Sequence, residues 1–195
     1  MTWYAVEGTD GSGKSSVAEV ILRELEGRNR KVLMITHPNT ENRWGELASK
    51  YLHGKSSKIN KLKATVFYIL DVLKSLRYKR KHRREYDDVI FVRYSMAAAY
   101  LPKFLIRIGY WFIEFVLPVP DVKIFVDIEP KVALGRIQSR GDSLEIFETL
   151  EELKKTRDKM LMISDTWAVV DNSGPFEETE RAVKWVISEY GGNEN

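Results

Sequence analysis

The chain has 195 residues, 44% hydrophobic and 30% charged, which allows one ordinary domain with a real core and excludes a disordered chain. It has no cysteine, which excludes a disulfide scaffold, a zinc–cysteine site, an iron–sulfur cluster and a cysteine nucleophile. Its 31 basic and 28 acidic residues leave a formal +3, but seven cations (Lys74, Arg77, Lys79, Arg80, Lys81, Arg83, Arg84) crowd into 74–84, and without them the balance is 24 to 28.

Trp3–Glu7 reads as a buried strand stopped by Gly8. From Lys14 to about Arg28, apolar residues at Val17, Val20, Ile21 and Leu25 keep helical spacing. Lys31–Thr36 is a second strand, ended by Pro38. Arg43–Leu52 is a short helix with Trp44, Leu47, Ala48 and Tyr51 on one face. Ile59–Glu85 is a long helical pattern, and Val89–Val92 a third strand. Ser95–Leu117, broken by Pro102, is apolar around most of its circumference, which predicts burial inside the domain or against a partner. Val122–Asp127 is a fourth strand, Lys131–Ser139 a helix, Arg140–Ser143 a polar turn, and Leu144–Ser164 a helix. Trp167–Val170 is a fifth strand and Phe176–Tyr190 the last helix. Strands alternating with helices imply an α/β fold, a parallel sheet covered on both faces.

No metal-ligand spacing relates His37, His53 and His82. The longest apolar run, 104–119, contains Arg107 and Glu114 and is too short to span a bilayer. The start, MTWYAVEG, lacks a signal-peptide layout. The chain therefore reads as a single domain over 1–195, soluble and cytoplasmic, with no membrane partner.

One motif carries the chemistry. Gly8 to Ser15 (GTDGSGKS) matches G-x-x-x-x-G-K-[ST] between a strand and a helix. Glycines let the backbone curl so that successive N–H groups face phosphate oxygens, and the helix N-terminus adds its dipole. The cradle is read as Gly8, Asp10, Gly11, Ser12, Gly13, Lys14, Ser15 and Ser16. Lys14 reaches the transferred phosphoryl group and the Ser15 hydroxyl holds Mg²⁺, so ATP or GTP with Mg²⁺ is the expected ligand. Arg136 and Arg140, four apart on one helical face after strand four, suit a lid closing over the γ-phosphate. The alternative is two solvated surface arginines. Small size, one domain and basic residues after strand four favour a small-molecule kinase over a switch or a motor.

With these residues in view, the sequence resembles the thymidylate kinase family, especially its archaeal members. Val6 to Ser15 is similar to that family's E-G-x-D-G-S-G-K-[ST] loop. Arg93-Tyr94 resembles its D-R-Y, and Ala99-Tyr100 its A-Y. Asp127 with Glu129-Pro130 resembles the end of strand four. Arg136 and Arg140-Gly141 resemble the lid, and Arg157 an arginine of the next helix. The resemblance implies a P-loop NTPase fold, a five-stranded parallel sheet of order 2-3-1-4-5, with a lid at about 136–148. It implies transfer of the ATP γ-phosphoryl group to a deoxynucleoside monophosphate, dTMP to dTDP.

The resemblance also assigns roles. Arg93 bridges donor and acceptor phosphates, while Asp10 and Tyr100 line the acceptor sugar. Phe67 stacks on the base or is plain core. His37 contacts the acceptor or is an ordinary loop histidine. The family forms dimers by packing helices, so a homodimer is implied, with Trp111, Phe112 and Phe115 either on that face or in the core.

Four positions depart from the pattern. The aspartate of D-R-Y is Val92, and the glutamine after Ala-Tyr is Leu101. The base-contacting arginine four residues after a Phe corresponds to Asp71. An arginine after the strand-two proline corresponds to Thr40, leaving Arg43 as the nearest group to hold the acceptor phosphate. These departures predict that dTMP is a poor substrate or is bound differently.

Two other readings stay open. A kinase for another small acceptor, such as a nucleoside, would need a carboxylate base; Val92 replaces the strand-three aspartate, and Asp71 or Glu129 would supply one if near the transferred phosphate. A nucleotide-dependent regulatory protein could use 74–84 on nucleic-acid phosphates. No reading motif accompanies that cluster, and a solvated helix end explains it as well, so nucleic acid is not an expected partner.

Overall fold

The structure is a computed structural model, and it describes residues 1–52, 58–96, 99, 103–139 and 149–191. Five strands form one sheet: β1 (Thr2–Gly8), β2 (Val32–Thr36), β3 (Asp88–Val92), β4 (Val122–Asp127) and β5 (Ala168–Asp171). All pairs are parallel and the order is β2-β3-β1-β4-β5, as the resemblance implied. Central β1 is registered with Val6 between Val92 and Ile124.

Parallel strands are joined by crossovers that lay helices on both faces, so central strands must be apolar on both sides. VIFV and the middle of VKIFVD meet that demand. Alternation sends Trp3, Ala5, Phe91 and Phe125 to one face and Tyr4, Val6, Ile90 and Ile124 to the other. On the first face pack α3 (Lys58–Lys81), α4 (Ile106–Val116) and α6 (Leu150–Leu161), through Val72, Ile106, Tyr110 and Met160. On the second pack α1 (Lys14–Gly27) and α7 (Phe176–Tyr190), through Val17, Ile21, Val183 and Ile187. A third small cluster joins α5 (Pro130–Ser139) to α6. Short α2 (Arg43–Leu52) packs along α3.

Two expectations change. Helix α3 ends at Lys81 rather than Glu85, because a turn over 82–85 brings the chain round to β3. The apolar segment read as a buried helix from Ser95 becomes α4 only at Ile106, and it is buried on one side alone. Its outer side leaves Trp111, Phe112 and Phe115 at 65%, 58% and 75% exposure, so these three are not core. The turn predicted at 140–143 and the first five residues of the helix predicted after it lie outside the described residues, and the described helix α6 starts at Leu150 behind a Thr149 cap.

No described helix is long and apolar enough to cross a membrane.

Candidate active site

Strand β1 delivers the loop at 8–13 to the C-terminal edge of the sheet, where open α/β sheets bind ligands. Gly11 and Gly13 have φ of +75° and +87°, the left-handed region. Space as well as φ demands glycine there. A Cβ on Gly11 would stand 2.6 Å from the Ala133 carbonyl oxygen, and one on Gly13 2.4 Å from Asn172 Nδ2. The loop is therefore wedged between α5 and the residue after β5. Helix α1 begins at Lys14 with Ser15 and Ser16 exposed at its mouth. That leaves the helix N-terminus and both hydroxyls open to an anion.

The cations around this loop are spoken for by protein groups. Lys14 is buried, donates to the Thr9 carbonyl and lies 3.8 Å from Asp10. Arg93 donates from Nη2 to Asp10 Oδ1 at 2.8 Å. Arg136 donates to the Asn172 carbonyl at 3.0 Å. Arg157 of α6 grips Asp127 through two bonds of 2.7 Å, and this pairing raises the guanidinium pKa. The carboxylate that closes β4 is thus tied to α6.

Arg93 is held in place by its backbone. Its φ is +62°, and its N–H donates to the Val6 carbonyl at 3.0 Å. Glu7 secures the following turn: one carboxylate oxygen accepts from the N–H groups of Tyr94 and Met96. Glu7 is buried, and burial raises its pKa. On the other side His37 meets the Arg93 carbonyl through Nδ1 at 2.9 Å. A carbonyl only accepts, so Nδ1 carries the proton and Nε2 is the bare nitrogen, which has no partner. Burial holds the His37 pKa below its ordinary value.

The acceptor-side residues fall into two groups. Asp10 and Arg93 meet at the loop, and Arg43 is exposed at the start of α2 with its guanidinium 5.8 Å from the Trp44 ring centre. His37 has no exposed surface and packs edge-on against Phe91 at 5.2 Å, so its ring touches the site only through Arg93. Phe67 lies between Trp44 and Tyr51, nearly parallel to both at 6.1 and 5.6 Å, filling the α2–α3 seam. Tyr100 and Arg140, with Leu101, lie outside the described residues.

Asp71 is the clearest change. It is fully buried and faces the loop after β2, accepting from Asn39 N–H at 2.7 Å and from Asn42 Nδ2 at 2.6 Å. Both of its oxygens are thus used to pin residues 39–42, where the family pattern has a base-contacting arginine. Val92 is buried core at the end of β3.

A family model described as thymidylate kinase matches residues 6–183. The chain belongs to the thymidylate kinase family. A probable thymidylate kinase of Archaeoglobus fulgidus is 29% identical, with 95% of this chain and 94% of that protein covered. A thymidylate kinase of Leptospira borgpetersenii is 28% identical over 91% of this chain and 89% of its own. Among solved structures, thymidylate kinase from Candida albicans superposes with a TM-score of 0.78 over 99% of this chain and 93% of its own, at 20% identity, a likeness of fold. Family membership makes the chain a P-loop nucleoside monophosphate kinase, and the loop, Arg93 and Arg136 described above lie within the matched span.

Two residues of this site were not singled out for it by sequence reasoning: Asn172 and, as a staple of the Arg93 turn, Glu7. Their contacts join residues far apart in the chain, which periodicity does not report. The one available signal was position, since Asn172 directly follows β5 and so must reach the same sheet edge as the loop.

Proposed function

We propose that the chain transfers the γ-phosphoryl group of ATP to dTMP, giving ADP and dTDP. The observation that carries this is the loop at 8–13 opening onto Ser15, Ser16 and α1, with Arg93 and Arg136 beside it, in a chain of this family.

The donor-side residues fit a nucleotide with its Mg²⁺. The loop offers backbone N–H groups and a helix N-terminus to the phosphates, and the exposed Ser15 hydroxyl is a hard oxygen donor. Mg²⁺ needs few protein ligands when it is carried by phosphates, and no group of three or more metal-ligating side chains occurs among the described residues. When bound, Mg²⁺ supplies charge neutralisation of the phosphates.

The chain's own residues do the rest. An oxygen of the dTMP phosphate forms a bond to the γ-phosphorus as the bond to the β–γ bridging oxygen breaks, leaving ADP. The acceptor is already anionic, so no general base is required, and positioning dominates. Lys14 and Arg93 each exchange Asp10 for phosphate oxygens. That exchange trades one carboxylate for a more highly charged anion at little cost in reorganisation. Arg136 turns from the Asn172 carbonyl to the γ-phosphate, and Arg140 is assigned to the same phosphate by the family resemblance. Asp10 and Tyr100 line the sugar, and Arg43 holds the acceptor phosphate. Phe67, already packed in the α2–α3 seam, forms the floor of the base site. His37 acts on the acceptor through Arg93. Recognition of dTMP then runs through contacts other than those Thr40, Asp71, Val92 and Leu101 would have supplied as Arg, Arg, Asp and Gln.

The working form is a homodimer in the cytoplasm. On α3, Ile59, Leu62, Val66 and Ile69 are 47–66% exposed at spacings of three, four and three residues, a coiled-coil seam. Helix α4 on the same side of the sheet adds Trp111, Phe112 and Phe115. Apolar surface in a continuous stripe marks an interface.

The test is ADP release from MgATP with and without dTMP, in wild type and Lys14→Ala. dTMP-dependent release that Lys14→Ala reduces by about a thousandfold or more supports the reading. Release that ignores dTMP, or survives Lys14→Ala, contradicts it.

A further inference from the structure

We propose that Asn172 is a positioning residue for the donor phosphates: its side-chain amide sets the direction of the Gly13 N–H in the phosphate loop. The inference rests on the nucleotide-binding reading of that loop.

Asn172 is buried at the first position beyond β5, and every polar end of it is engaged. Its N–H donates to the Asp127 carbonyl at 2.8 Å, which extends the β4–β5 ladder by one residue. Its carbonyl accepts from Arg136 at 3.0 Å. Its side-chain Nδ2 donates to the Ser12 carbonyl at 2.7 Å, across 160 positions of sequence. Its Oδ1 accepts from the Thr179 hydroxyl at 2.9 Å, which also lies 3.1 Å from the Asp171 carbonyl. The orientation of the amide is not arbitrary. The Ser12 carbonyl only accepts, so the NH₂ end must face it, and the hydroxyl of buried Thr179 then meets the oxygen.

The consequence follows from peptide geometry. In a trans peptide the C=O and N–H point in opposite directions. Fixing the Ser12 carbonyl on Asn172 therefore turns the Gly13 N–H away from Asn172 and into the hollow of the loop. That N–H belongs to the row that faces phosphate oxygens in a P-loop. The bare Cα of Gly13 makes the bond possible, since a Cβ would stand 2.4 Å from Nδ2. The peptide is thereby oriented before nucleotide arrives, and the cost of ordering it is removed from binding. Arg136 is docked on the backbone of the same residue, so truncating the side chain leaves that contact in place.

The experiment is calorimetric binding of MgATP and, separately, of dTMP to the full chain. We expect Asn172→Ala to weaken MgATP roughly tenfold and dTMP less than twofold. Asn172→Asp should weaken MgATP further, because a carboxylate cannot donate to the Ser12 carbonyl and adds negative charge beneath the phosphates. Val183→Ala, in the core face of α7, gives a comparable fall in melting temperature with MgATP affinity unchanged. If Asn172→Ala does not fold, Thr179→Val, which removes the brace on Oδ1, should weaken MgATP roughly threefold.

Wild-type MgATP affinity in Asn172→Ala overturns the proposal. So does equal weakening of MgATP and dTMP, or weakening matched by Val183→Ala. A wild-type chain that binds MgATP but does not phosphorylate dTMP would contradict the proposed reaction and leave this binding test standing. A wild-type chain that binds no MgATP would overturn both.

Discussion

Glu7 and His37 flank Arg93, and burial works on them in opposite directions. Burial raises the Glu7 pKa above 4.5, so its contribution to stability is full below that value and is lost as pH rises through the folded pKa. Burial lowers the His37 pKa below 6.5, so its contribution is full above 6.5 and is lost as pH falls through the folded value. Charging His37 would place a proton on a buried Nε2 that has no partner. Thermal melts between about pH 7.5 and 5.5 should therefore show wild type losing stability on acidification more steeply than His37→Asn. Glu7→Gln should gain on wild type as pH rises above about 4.5, because the amide oxygen still accepts both N–H groups without a buried charge. Parallel curves for wild type and variant would contradict each assignment.

At the scale of elements, a buried carboxylate and a half-buried one tie neighbouring elements to the frame. Asp71 joins α3 to the loop over 39–42, and Asp127 joins β4 to α6 through Arg157. Asp71→Ala leaves the Asn39 N–H without its partner and Asn42 Nδ2 with the Asn39 carbonyl alone, at the head of α2. It should raise the KM for dTMP by about tenfold with the KM for ATP nearly unchanged. A double-mutant cycle on Asp127 and Arg157 should give a coupling of about 1–2 kcal/mol, moderate because the guanidinium is partly exposed. Additive single effects would show that the pair does not couple. The elements themselves were legible in the sequence because they are local. VIFV, VKIFVD and the GTDGSGKS loop declare themselves by run length, glycine placement and helical period. What Asp71 does was not legible, because its partners lie 32 and 29 residues away and the contact depends on how a loop folds back. The apolar circumference of α4 was legible, but its burial was not, since only the packed sheet shows which side faces in.

For the whole molecule, the seam on α3 and the aromatic face of α4 lie on one side, while the donor site opens at the sheet edge. The basic cluster at 74–84 belongs to the other end of α3, where Lys79 lies over the Trp3 ring with Nζ 3.3 Å from its centre. Burial lowers the pKa of that lysine to about 8. One of the seven cations is therefore spent on the core. Sedimentation should report a dimer for wild type and a folded monomer for Trp111→Glu combined with Phe115→Glu, with little change in the monomer's own packing because both rings are exposed. A wild-type chain sedimenting as a monomer would contradict the seam. The most direct test of the central account is a steady-state panel of nucleoside monophosphates with MgATP. The account predicts the highest kcat/KM for dTMP. A higher kcat/KM for any other monophosphate, or no acceptor above background, would contradict it.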